Sequence, residues 1–62
     1  MFRLEINMDN AAFGETDEDR AQELGRILDE TSIAIVEHAE ARGIVRDING
    51  NTVGHWKITD EP

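Results

Sequence analysis

The Asn49-Gly50 pair is the feature of this sequence that most limits how the chain can fold. It separates two runs rich in apolar and β-branched residues, 44–48 and 52–59. An Asn-Gly pair between such runs is the strongest short-range signal for a β-hairpin. We therefore predict two antiparallel strands, 44–48 and 52–59.

The register of this hairpin has two alternatives. A two-residue turn places Val45 and Asp47 on the same face as Trp56, whereas a three-residue loop places Ile44 and Ile48 there. One residue of slip moves every side chain of a strand to the other face, so the loop length decides which residues are buried. The sequence leaves both registers open.

The first residues alternate strictly between apolar and polar side chains. The apolar members are Phe2, Leu4, Ile6 and Met8. A period of two is typical of a half-buried strand, which we predict over 2–8. In the loop that follows, Phe13 is the only large apolar residue, and we expect its ring to pack against the core.

A helix is predicted over 17–42. Thr16 is a good N-cap residue, and Gly43 can take the left-handed conformation that follows many helices. Between them, residues of one stripe recur every three or four positions. The stripe consists of Ala21, Leu24, Leu28, Thr31, Ile35, Ala39 and Arg42, widened by Ile27 and Ala34.

The order strand, helix, strand, strand predicts a single small α+β domain, 1–62. We expect a three-stranded antiparallel sheet with one helix across one face. If the third strand lies in the middle, every pairing is antiparallel, and we prefer this order to one that pairs the first strand in parallel with the second.

Composition limits the classes of partner and of chemistry. The chain has no cysteine, and its fourteen acidic residues against six basic ones give a formal charge of −8. Such a charge repels nucleic acid and anionic lipid and favours a cationic partner. No run of about 18 apolar residues or signal-peptide pattern occurs, so we expect a cytoplasmic protein that does not bind membranes or nucleic acid directly.

No catalytic or metal-binding pattern stands out. His38 and His55 are far apart in the sequence and have no cysteine to accompany them. No hydroxyl nucleophile stands in a recognisable spacing from a histidine, and no glycine-rich phosphate loop is present. We expect a binding protein without enzymatic activity, cofactor or metal.

Acidic residues concentrate between Asp9 and Glu30, where eight acids face two bases. This acidic lobe is either a binding surface or an ordinary solvated helix face, balanced in part by Arg26. A second feature is the pair Ile33 and Val36, which fall opposite the apolar stripe and should be exposed. Two neighbouring aliphatic side chains there indicate a small contact patch for a partner or a second copy.

Three segments carry a resemblance: Asn-Ala-Ala-Phe at 10–13, Glu-Leu-Gly-Arg-Ile-Leu at 23–28, and Arg-Asp-Ile-Asn-Gly-Asn-Thr-Val-Gly at 46–54. Together they resemble a group of short proteins encoded in bacteriophages and mobile elements, over residues 1–58. The Asp-x-Asn-Gly-Asn-x-Val-Gly hairpin is the most specific part and is chiefly structural.

Small acidic phage proteins of this kind are similar in character to anti-CRISPR inhibitors, several of which resemble double-stranded DNA in charge. The resemblance implies an inhibitor that acts in the host cytoplasm on a type I CRISPR interference complex, whose cationic groove binds the target duplex. The competing charges would be Glu15, Asp17, Glu18, Asp19, Glu23, Asp29 and Glu30.

The alternative is an interaction module or small regulatory subunit, such as an antitoxin-like or phage accessory protein. It would use Ile33 and Val36 to hold a protein partner or a second copy, as a monomer or weak homodimer. Salt distinguishes the two hypotheses, because charge-based binding weakens at high ionic strength and an apolar contact does not.

Overall fold

The computed structural model describes residues 1–60, and residues 61 and 62 lie outside it. Strand β1 spans Phe2–Ile6, helix α1 Asp17–His38, strand β2 Arg42–Arg46 and strand β3 Thr52–Ile58. A short 3-10 helix at Ala11–Phe13 connects β1 to α1. The chain is thus the α+β arrangement that the sequence predicts.

The three strands form one antiparallel sheet in the order β1-β3-β2, with the predicted third strand in the middle. Leu4 pairs with Trp56 in one ladder, and Gly43 pairs with Trp56 in the other. Position 54 must be glycine, because a Cβ there would overlap the carbonyl oxygen of Glu5 on the neighbouring strand.

The hairpin combines features of both predicted registers. Its loop has three residues, closed by a hydrogen bond from the Asp47 N–H to the Asn51 carbonyl oxygen (2.9 Å), with Gly50 at φ 86°. The ladder then shifts by one residue, since Val45 pairs with Gly54 and leaves Val53 as a bulge. The bulge turns Val45 to the core, as a two-residue turn would have done.

The predicted start of α1 is confirmed, and the predicted end is wrong. The Thr16 hydroxyl accepts a hydrogen bond from the Asp19 N–H (3.0 Å). At the other end, Ala39 adopts the left-handed conformation (φ 52°), so the helix ends at His38, four residues before its predicted end. Gly43 is needed in β2 instead, because a Cβ there would lie 2.6 Å from the Trp56 Nε1 atom. Arg42 accordingly begins β2 and is not in the last helical turn.

The core lies between α1 and one face of the sheet. Its buried apolar residues are Phe13, Ile27, Val45, Val53 and Trp56. The side of α1 that faces the sheet therefore centres on Ile27, and Leu28, which was predicted in the stripe, is 50% exposed. A three-stranded sheet is too narrow to cover the helix on both sides of Ile27.

The opposite face of the sheet is uncovered. Because side chains alternate along a strand, the residues between the core positions point to this open face. They are Arg3, Glu5, Arg42, Ile44, Arg46, Thr52, His55 and Lys57.

Candidate protein-binding surfaces

The predicted acidic residues lie mainly at the N-terminal end of α1. Glu15 precedes the helix, and Asp17, Glu18 and Asp19 form its first turn, where negative charge is favoured by the helix dipole. All four are exposed. They form a dense group of carboxylates at one end of the domain.

Two further acids extend this group along the helix. Asp29 follows Glu18 by eleven residues, and Glu30 follows Asp19 by the same interval. Eleven residues make just over three full turns, so each pair lies on one side of the helix, about 16 Å apart along its axis. Asp29 and Glu30 are exposed, and the acidic surface therefore runs over half the length of α1.

The bases on α1 neutralise only part of this surface. Arg20 lies 3.7 Å from the Asp17 carboxylate, and Arg26 lies 2.8 Å from Glu30. Within residues 1–60, no ion pair involves the remaining exposed members of the group. These members are Glu15, Glu18, Asp19 and Asp29. We call these four the unpaired acidic surface.

Glu23 does not belong to the acidic surface, contrary to the sequence interpretation. Its side chain is only 6% exposed and accepts hydrogen bonds from Arg26 Nε (2.6 Å) and Nη2 (3.2 Å) and from the Ile48 N–H (2.9 Å). The Arg26 guanidinium, and after it the Ile48 N–H, hold the pKa of Glu23 below its ordinary value despite burial. Glu23 ties α1 to the hairpin loop and cannot meet a partner.

Asp47 has a similar structural role in the Asp-x-Asn-Gly-Asn segment. One carboxylate oxygen accepts from the N–H groups of Asn49 and Asn51, each at 2.9 Å, and the other from the Asn10 side chain at 2.7 Å. Burial raises the pKa of Asp47, but these hydrogen bonds outweigh it and the net pKa is lowered. The segment therefore organises the loop and its contact with residues 10–13.

The exposed aliphatic pair is where the sequence predicts it. Ile33 is 48% exposed and Val36 is 75% exposed. Leu28 adds a third exposed aliphatic side chain to α1, which the periodicity had assigned to the core. The helix thus carries apolar contact area next to its acidic surface.

The open sheet face is cationic, a property that the sequence analysis did not predict. Arg3 pairs with Lys57, and Lys57 pairs with Arg42 in the next ladder, so three cations form one row across the sheet. Arg46 lies on the same face. Strict alternation with Leu4, Val45 and Trp56 was the signal that could have revealed it.

Four of the six bases therefore lie on the side of the sheet away from α1, and none of them forms an ion pair with another described residue. Among residues 1–60, Glu5 is the one acid of this face, and its carboxylate lies 3.9 Å from His55 Nε2. The protein is thus acidic on its helix and cationic on its open sheet.

Within residues 1–60, no group of three or more histidine, aspartate or glutamate side chains is arranged to hold a metal ion. No helix in the same range is long and apolar enough to cross a membrane. Comparison with protein-family models, curated proteins and solved structures gives no match for this chain.

Proposed function

We propose that this chain is a non-catalytic inhibitor that occupies a cationic DNA-binding surface of a partner in place of duplex DNA. The observation that carries the proposal is the separation of charge. The helix and the four bases lie on opposite faces of the sheet, and none of these bases forms an ion pair with the unpaired acidic surface.

The electrostatics of such competition are general. A surface that grips duplex DNA attracts any rigid array of negative charge, and its affinity falls steeply with salt as counterions are released. A folded helix holds the backbone positions of these carboxylates at fixed separations, so binding has to order only their side chains. Asp29 extends the array about 16 Å beyond Glu18, which lets it span several charges of a duplex-binding groove.

A type I CRISPR interference complex is the specific partner that we propose, on the resemblance to small acidic phage proteins. The experiment is a competition with purified complex, labelled target duplex and increasing amounts of this protein, at about 0.05 to 0.5 M salt. We expect displacement of the duplex at low salt. Because the duplex itself dissociates as salt rises, the salt dependence is read from binding of the labelled protein to the complex without duplex, and we expect this binding to be lost at high salt.

A matched pair of variants tests the surface. Glu18→Gln with Asp29→Asn removes two charges from the unpaired acidic surface, whereas Glu37→Gln with Glu40→Gln removes two exposed charges near the other end of α1. We expect only the first variant to weaken displacement and to reduce the salt dependence of binding. Equal effects of the two variants, or binding indifferent to salt, would overturn the proposal.

A second function is favoured by the exposed aliphatic side chains of α1. If the chain is an interaction module, Ile33→Ser with Val36→Ser abolishes capture of its protein partner, because Val36 is 75% exposed and free to be buried in an interface. Capture then persists at high salt and in the Glu18→Gln, Asp29→Asn variant. This pattern excludes DNA mimicry as the mode of binding.

A further inference from the structure

The free edge of β2 borders a groove of about 390 Å³ between this strand and α1. Ile27, Thr31 and Ala34 line it from the helix, and Val45 and Trp56 line it from the sheet. Charged side chains of both signs also line it, namely Glu30 and Glu40 on the helix side and Arg42 and Arg46 on the strand side. The groove therefore combines an apolar floor with a charged rim, so acidic residues of a ligand are favoured only where they meet the arginines.

Two polar groups of largely buried residues reach this groove without a hydrogen-bond partner. Trp56 is only 2% exposed, and its indole N–H donates to no described residue; the Thr31 hydroxyl, on a residue 8% exposed, is also unbonded. Neither atom is sealed off, because no fully buried side-chain nitrogen or oxygen of residues 1–60 lacks a partner. Gly43 leaves the indole nitrogen uncovered, since any Cβ there would lie 2.6 Å from it. A buried donor that opens onto a groove is suited to a ligand's acceptor.

The backbone along this groove is also unpaired. The Ile58 N–H donates to the Ala41 carbonyl oxygen (2.8 Å), which makes these two residues a hydrogen-bonded pair. Such pairs alternate in an antiparallel ladder, so the N–H and C=O groups of Arg42 and Ile44 point outwards. At the loop end, the Arg46 carbonyl oxygen also points outwards and accepts from Arg26 Nη2 (3.0 Å), which closes the edge there.

We propose that β2 is a strand-addition site for an extended acidic peptide segment of a partner protein. A strand added to this edge bonds to Arg42 and Ile44 and lies about 4.8 Å from β2. Its residues opposite Arg42, Ile44 and Arg46 lie on the open sheet face, where the pattern acidic, apolar, acidic is complementary. Its intervening residues enter the groove over Gly43, where a backbone or side-chain oxygen accepts the Trp56 N–H.

Charge decides against two other occupants. Symmetric pairing of β2 with a second copy, centred on Ile44, sets Arg42 directly against the Arg46 of that copy, and like charges in this position are destabilising. A single-stranded nucleic acid would lack a stacking platform, because no Phe, Tyr or Trp occurs among the described residues of the open face. An acidic peptide can form ion pairs with the cations and hydrogen bonds with the free edge.

The test uses a blocked peptide containing Glu-Thr-Val-Thr-Glu between Gly-Ser flanks, whose threonines place a hydroxyl oxygen over the groove, with Lys-Thr-Val-Thr-Lys as its charge-reversed control. Trp56, the one tryptophan of the chain, reports on the groove by fluorescence. Amide hydrogen exchange reports on the edge. We expect saturable binding of the acidic peptide, with slowed exchange at the amides of Arg42 and Ile44. Absence of this protection at about 1 mM peptide, a concentration that detects even weak binding, would overturn the proposal.

A pair of single variants separates edge binding from general attraction to the cationic face. Arg42 and Arg3 lie in the same cross-strand row, but Arg3 is two strands further from the edge. This places Arg3 about 14 Å from an added strand, beyond the screening length of about 8 Å at physiological salt. We expect Arg42→Glu to change the preference for the acidic peptide about tenfold towards the lysine peptide, and Arg3→Glu to change it less than about twofold.

Equal effects of Arg42→Glu and Arg3→Glu would overturn strand addition in favour of a diffuse cationic surface. Displacement of the acidic peptide by a single-stranded oligonucleotide at the same salt, or self-association of the free protein through this edge in sedimentation, would overturn it as well. The four residues of the unpaired acidic surface do not line this groove, so the outcome is independent of the function proposed above.

Discussion

Replacing Glu23 by glutamine tests whether this carboxylate supports the fold or belongs to the acidic surface. Its three acceptor contacts, two from Arg26 and one from the Ile48 N–H, are made at only 6% exposure. A hydrogen bond to a charged group contributes about 1.5–3 kcal/mol. Glutamine keeps one oxygen and presents an amide NH₂ to the remaining donor, so we expect Glu23→Gln to cost about 2–3 kcal/mol.

This loss is large relative to the free energy of unfolding of a chain of this length. A domain of 62 residues has a free energy of unfolding of about 3–9 kcal/mol. The loss corresponds to a fall in the melting temperature of about 10–20 °C. Glu30→Gln is the matched control, since Glu30 contacts the same Arg26 but is 64% exposed. An exposed ion pair contributes only about 0–1 kcal/mol.

The assay is urea unfolding followed by the fluorescence of Trp56, the one tryptophan, which is buried in the core. The two variants should differ in midpoint and share the same slope, because both change stability without changing the surface that unfolding exposes. If Glu23→Gln costs no more than Glu30→Gln, the Glu23 carboxylate is solvated. Glu23 would then belong to the acidic surface, as the sequence predicts.

The remaining predictions concern pH and glycine. Unfolding free energy should fall as pH drops below the ordinary pKa values of Glu23 (4.5) and Asp47 (3.8), because both pKa values are lowered on folding; an unchanged urea midpoint from about pH 6 to 3 would contradict these pKa shifts. Gly25→Ala should stabilise α1 by about 0.5–1 kcal/mol, since nothing lies within 4 Å of the added Cβ. Gly54→Ala should destabilise the protein by about 1–3 kcal/mol in the same urea assay, because its Cβ would overlap the Glu5 carbonyl oxygen. A stabilising Gly54→Ala would refute the pairing of β1 with β3.

Local signals in the sequence were sufficient to predict the elements and their order. Thr16 caps the helix through its own hydroxyl, and the Asn49-Gly50 pair makes the hairpin, because both effects act within a few residues. The central position of β3 followed from the requirement that every pairing be antiparallel. These are properties that a short segment carries with it.

The end of the helix depended on tertiary contacts that periodicity does not contain. Gly43 looks like a helix stop, but it is required where Trp56 Nε1 comes within 2.6 Å of its missing side chain. The helix ends at His38 instead, and the residue that caps it, Ala39, is of a type that rarely takes the left-handed conformation. A glycine needed for close approach and a glycine needed for a turn look alike in a sequence.

The orientation of α1 about its own axis determines which of the predicted site residues are exposed. The helical period predicts an apolar stripe, but its width leaves the exact side that faces the sheet undetermined. A turn of the helix towards Ile27 buries Glu23 and exposes Leu28. Glu23 could be accepted there only because Arg26 and the Ile48 N–H were available to its carboxylate, and the pairing with Ile48 depends on a loop that closes more than twenty residues later.

The net charge does not show that acidic and basic residues lie on different surfaces of the domain. A net charge of −8 implies a uniformly acidic surface only if the bases are spread over that surface. Here four of the six bases lie on one face of the sheet: Arg3, Arg42, Arg46 and Lys57. A helix with its side chains is about 10–12 Å across, which exceeds the screening length of about 8 Å at physiological salt. The outer side of α1 and the open sheet face therefore act on partners independently in the cell, but not at low salt, where the screening length reaches about 30 Å at 0.01 M. Binding experiments at low ionic strength would report the total charge and mix the two surfaces. At physiological salt, a change at Glu18 should leave binding at Arg42 unaltered, and this independence lets the two proposals fail separately.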